Sequence, residues 1–196
     1  MKLKRMLAAG FLTAATVLSL TSCGSGSSED TIGVVVSSAY VDGEALQTYA
    51  DELISAHPDW EGKVTFTSQT MGDSQADGMT YGAAMMQQTA MAAAGEMDIM
   101  ICDDENGARN CRSDLFLPLS DVFTEEEIAS FGETLSFEMV DESGNPTGEM
   151  TPECGVRVTG DGFDSAVGDT DLGVYIVSTE KDEALIKEIY TALIDS

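Results

Sequence analysis

Histidine is almost absent from this chain: His57 is the single one in 196 residues, and it stands directly before Pro58. One imidazole beside a helix-ending proline offers neither a metal cluster nor a placed general base. A Gly-x-Ser-x-Gly nucleophile elbow and a phosphate-cradling P-loop are also lacking. Paired carboxylates can serve glycoside chemistry, but among 35 acidic residues any such pair is uninformative. The chain is therefore read as no enzyme, with no cofactor. Positive charge is scarce as well. Nine Lys and Arg against 35 Asp and Glu give a net charge of −26, which repels nucleic acid and anionic lipid alike. The plain reading is a solubilising surface on an exported protein. Beyond Leu20 there is no long apolar run, and no internal repeat is present.

The one long uncharged stretch, Met6 to Leu20, follows Lys2, Lys4 and Arg5. A basic start and an apolar region shorter than the about 20 residues of a membrane span make the layout of a secretory signal. It runs into "LTSC", Leu20 to Cys23, which resembles the lipobox of bacterial lipoproteins, and then into "GSGSS". That resemblance implies acyl chains such as palmitate on Cys23, each buried methylene adding about 0.8 kcal/mol to the anchor. Gly24 to Ser28 would form a flexible leash. The expected organisation is a lipoprotein signal at 1–22, a lipidated cysteine and tether at 23–30, and one domain at 31–196. The expected location is the extracellular face of the cell membrane, held there by the lipid. Once the signal is removed, Lys63, Arg109, Arg112, Arg157, Lys181 and Lys187 face every acidic residue of the chain.

Three further cysteines, Cys102, Cys111 and Cys154, leave at least one unpaired in any intramolecular scheme. None has zinc-ligand spacing. Two readings of Cys102 stay open: a small buried hydrophobe closing an apolar run, or a partner for Cys111 across the intervening loop. An anaerobic source would leave all three reduced.

About 170 residues suit one domain. "TIGVVVSS" (31–38) is a continuous β-branched run, the pattern of a strand buried on both faces. Ala45, Leu46, Tyr49, Ala50, Leu53 and Ile54 then form one helical face, with Asp42 as its N-cap and Pro58 ending it. "KVTFTSQ" (63–69) alternates as a second strand, and a Met- and Ala-rich helix closes at Gly95. Met97 to Cys102 reads as a third strand. This β-α-β-α-β order implies parallel strands joined by right-handed crossovers. Thr124 and Glu127 form a capping box, and 136–158 reads as a hairpin turning at "ESGNPTG". "LGVYIVS" (172–178) is another buried strand, and Thr179 is placed to cap a last helix. The expected fold class is α/β: a single three-layer domain with a small, mainly parallel sheet, helices on both faces and an antiparallel hairpin.

Together these stretches resemble the extracellular solute-binding lipoproteins that feed ABC transporters. The resemblance rests on the lipobox, the first strand and helix, "AAAGEMDIMI", "LFLPLSDVFTEEE" and the closing "GVYIVSTEKDEALIKEIYTALI". It implies a periplasmic-binding-protein-like lobe that binds a small polar solute, sugar-like in character, and meets an ABC transporter permease. Family members have two lobes that close on the ligand, whereas this length suits one, with 136–158 standing where a second would be inserted.

Ligands of open parallel sheets bind outside the carboxyl ends of the strands. That rule selects Ser37, Ser38, Tyr40 and Asp42 after the first strand, and Gln69, Thr70, Met71 and Asp73 after the second. After the third it selects Asp103, Asp104, Asn106 and Arg109. Each has an ordinary reading beside the functional one: turns for the serines, and helix caps for Asp42, Asp103 and Asn106. Arg109 and Arg112 can clamp a carboxylate ligand, though pairing with the surrounding acidic side chains is the simpler expectation. Trp60 offers a stacking face or packs on the sheet edge. "GDGFDSAVGDTD" (160–171) supplies oxygen donors for calcium but fails as an EF-hand, because Phe163 and Leu172 hold ligand positions. A solvated acidic loop is preferred, and no metal site is assigned. The alternatives to solute binding are a lipoprotein that docks a protein partner and a calcium-dependent surface module.

Overall fold

A computed structural model of the chain describes residues 30–72, 76, 78–168 and 171–196. The signal, Cys23, the tether, Asp73 and Asp169 lie outside the described residues. Strand β1 (Ile32–Ser38) is buried along its whole length, as its β-branched run requires. Helix α1 (Gly43–Ala56) begins at Asp42, whose carboxylate accepts from the Glu44 and Ala45 N–H groups. There follow β2 (Val64–Thr70), α2 (Gly78–Ala93), β3 (Ile99–Asp103) and α3 (Asp104–Arg112). Short helices α4 (Leu119–Val122) and α5 (Glu125–Ser130) lead to β4 (Thr134–Leu135) and the hairpin β5 (Glu138–Val140) and β6 (Pro146–Met150). The chain ends with β7 (Gly155–Arg157), α6 (Asp164–Val167), β8 (Leu172–Ile176) and α7 (Glu183–Ile194).

The sheet is mixed, and this corrects the mainly parallel expectation. Its order is β2-β1-β3-β8-β7-β4, with β1 parallel to β2 and β3, and every pair from β3 outward antiparallel. The parallel half follows from its two helical crossovers. Strand β8 runs the other way because it enters from the β7–α6 segment at the opposite end of β3. The expected hairpin at 136–158 is shorter than that range: only β5 and β6 pair as a separate ribbon, while β7 joins the main sheet.

Strand alternation divides the core in two. Val34, Val36, Ile99, Ile101, Val174 and Ile176 pack with α1 and α7. Val35, Met100, Cys102 and Tyr175 face the other way, with Met91 of α2 and Cys111 of α3. Helix α7 buries Leu185, Ile186, Ile189, Tyr190, Leu193 and Ile194, each worth roughly 1.5–3 kcal/mol against exposure. Its cap is Asp182, which accepts from the Leu185 N–H at 3.1 Å, and not Thr179. Trp60 is fully buried: it stacks on His57 and donates to Glu188 of α7 at 2.9 Å.

At the amino ends of β1 and β3, Asp98 is buried and paired with Lys181 at 2.8 Å. Asp98 also accepts from the Gly33 N–H, while Lys181 donates to the carbonyls of Thr31 and Gly95. Gly33 permits this approach, because a Cβ there would overlap the Glu96 carbonyl. Cys111 and Cys154 form a disulfide, and Cys102 is free and buried. The Cys102–Cys111 pairing is thus corrected. Cys102 ends an inward-facing row of β3, and burial pushes its thiol far above the usual range.

Candidate functional site

The crossover from β1 leads to β2 on one side, and the crossover from β2 leads to β3 on the other. The carboxyl ends of β1 and β3 therefore form the switch point of the parallel half. In register, Ser37 lies beside Gln69 on one flank and Cys102 on the other. All three point to the α2 face, and α2 lies over them. Gln88 of α2, 2% exposed, donates to Ser37 Oγ at 2.9 Å and to Met71 Sδ at 3.3 Å. Gln69 donates to the Ala84 carbonyl at 3.0 Å. Ser37, Ser38, Gln69 and Met71 are all buried. They seat α2 and form the floor of the region, and its open surface lies elsewhere.

That surface is carried by α3. Asp103 caps it, accepting from the Asn106 N–H at 2.9 Å and from the Asn106 side-chain amide at 3.0 Å on both oxygens. Asn106 Oδ1 in turn accepts from Arg109 Nη2 at 2.6 Å. Arg109 also donates to the Tyr81 hydroxyl and to Gln88 Oε1, and lies over the Tyr81 ring. A continuous polar chain thus runs from Asp103 through Asn106, Arg109 and Gln88 to Ser37. Burial raises the Tyr81 phenol above its ordinary value; the Arg109 charge opposes this only in part, and the neighbouring Glu105 carboxylate adds to the rise. Arg109 Nε is buried with no hydrogen-bond partner, an arrangement that costs about 1–3 kcal/mol.

The expected pairing of Arg109 and Arg112 with carboxylates is corrected. Among the described residues neither forms an ion pair. Arg112 donates to the Glu138 carbonyl, and it is Arg157 that binds Asp104, at 2.8 Å. Asp104 is thereby spent on holding α3 to β7. Tyr40 is 65% exposed and stands apart from the polar chain, and Asp42 is engaged as the α1 cap.

Beside Arg109 a cleft of about 460 Å³ opens between α2 and α3, with Gln88 and Asn110 in its floor and Met85, Leu115 and Asp114 in its walls. A second, about 550 Å³, lies between α5 and α7, away from the strand ends. Its Lys187 is engaged with Glu183 and the Phe123 ring. Among the described residues no three His, Cys, Asp or Glu side chains gather as a metal site.

Sequence reasoning missed Tyr81, Gln88 and Asn110. The first two carried a signal: spaced by seven on α2, they share the helix face that meets the sheet, where its other members are Ala and Met. Comparison with models of protein families, with curated proteins and with solved structures finds no match to this chain.

Proposed function

We propose that this chain is a membrane-anchored extracellular lipoprotein that reversibly binds a small, sugar-sized polar solute. In this reading it resembles one periplasmic-binding-protein-like lobe, with a three-layer arrangement, and delivers the solute to an ABC transporter permease. It acts by recognition alone, without chemistry. The observation that carries the reading is the partly buried polar chain from Asp103 to Ser37, built at the strand ends and opening through Arg109 into the α2–α3 cleft. Polar groups linked in series in this way fix side-chain positions, as a recognition site needs. The lipobox-like "LTSC" supports the anchor, and the Cys111–Cys154 disulfide fits an oxidising compartment. Among the described residues no helix is long and apolar enough to cross a membrane.

A specific feature favours the second reading, docking of a protein partner. Helix α2 carries no charged residue, and its Met79 and Met86 are 87% and 76% exposed. Thermal unfolding of the full chain in detergent, with panels of sugars, amino acids and short peptides, separates the two. A solute at about 100 times its Kd stabilises the folded state by ~2.7 kcal/mol, and a raised midpoint supports solute binding. An unmoved midpoint with every solute overturns it in favour of a protein partner.

A further inference from the structure

The α2–α3 cleft contains two opposite charges that do not meet. Arg109 stands at one part of its lining and Asp114 at another, and among the described residues neither makes an ion pair. In a chain with 35 carboxylates and few cations, an arginine held only by Tyr81, Gln88 and Asn106 is unusual. These three partners are neutral; the carboxylates behind them, Glu105 on the Tyr81 hydroxyl and Asp103 on Asn106, form no ion pair with Arg109, and its Nε is buried without a hydrogen-bond partner. Asp114 is exposed and adopts a left-handed φ of 56°, a conformation that Asp and Asn tolerate. The same lining includes the buried amides of Gln88 and Asn110 and the apolar Met85 and Leu115.

Net charge narrows the occupant further. A simple anion would enter against the field of a chain at −26, and a simple cation would meet the guanidinium. A solute carrying both charges is neutral overall and engages both groups. We infer that the cleft binds a dipolar solute of amino-acid or dipeptide size, its carboxylate on Arg109 and its ammonium on Asp114. The assignment rests on the solute-binding reading above and names the chemical class of its ligand. A volume of about 460 Å³ falls within the usual range for small-molecule sites.

Titration calorimetry on the full chain in detergent tests it, using L-methionine, L-serine and glycylglycine as doubly charged probes. N-acetyl-L-methionine keeps only the carboxylate, L-methioninamide keeps only the ammonium, and glucose carries neither. The expected result is binding of at least one doubly charged probe, with its matching single-charge analogue about ten- to a hundredfold weaker. Arg109→Gln weakens the acetylated analogue but not the amide, and Asp114→Asn does the reverse. Arg109→Lys, which keeps the cation, retains part of the affinity, so a general loss of folding is told apart from loss of charge. Two results overturn the inference and leave solute binding standing: glucose binds while the doubly charged probes do not, or the probes bind and both substitutions leave them unmoved. Silence with every probe overturns the inference, and solute binding falls with it when the midpoint is also unmoved across the whole solute panel.

Discussion

At the residue scale the decisive contrast is between a charge that is neutralised and one that is left in reserve. Asp98 and Lys181 are neutralised: a carboxylate 2% exposed and an ammonium 15% exposed, 2.8 Å apart, tie α7 to the starts of β1 and β3. Lys181→Met would leave Asp98 buried without its counter-ion, and it should lower the unfolding free energy by about 3 kcal/mol. Urea denaturation of the variant measures this, and the Asp98→Asn, Lys181→Met double variant should lose less than Lys181→Met alone. Arg109 is the charge in reserve. Sequence alone placed Arg109, Asn106 and Asp103 in one region, because a strand end followed by polar residues marks a ligand-facing edge, though that segment is helix α3 and not a loop. It did not show that Asp103 would serve Asn106, and Asn106 serve Arg109. Hydrogen-bond order among neighbouring polar residues depends on helix geometry, which composition does not encode.

Among the elements, those with strong local signals were readable and those defined by long-range pairing were not. The β-branched run of β1, the Asp42 cap and the Thr124–Glu127 capping box appear where the sequence put them. The direction of β8 was hidden, since a buried apolar strand looks the same in either orientation and its neighbour is fixed only by tertiary packing. The cap of α7 fell on Asp182 and not Thr179, both being competent N-cap residues a few positions apart. The α5 capping box carries a pH signature. The Thr124 N–H and hydroxyl hold the Glu127 carboxyl below the usual glutamate range. With the folded pKa lowered, its contribution is present above the ordinary glutamate pKa and lost as pH falls through the lowered one. A carbon-detected carboxyl titration should place Glu127 below the exposed glutamates, and Thr124→Ala should move it upward. A midpoint unchanged by that substitution would count against the box.

At the scale of the whole molecule, the fold joins two regimes: a parallel half built by helical crossovers and an antiparallel half closed by the Cys111–Cys154 link. That disulfide spans 43 residues of sequence and encloses α4, α5, the hairpin and the β4 strand. Loop closure of that length restricts the unfolded chain by about 4 kcal/mol. Urea midpoints with and without reductant should differ accordingly, and both sulfurs, being buried, should resist reduction until the chain opens. The central claim concerns the parallel half and its α2–α3 cleft. Hydrogen exchange followed by mass spectrometry on the full chain, with and without saturating L-methionine or another solute that raises the melting midpoint, addresses it directly. The account predicts slowed exchange in 85–89 of α2 and 109–115 at the end of α3. Slowing confined to the α5–α7 face, or no change in either segment, would contradict it.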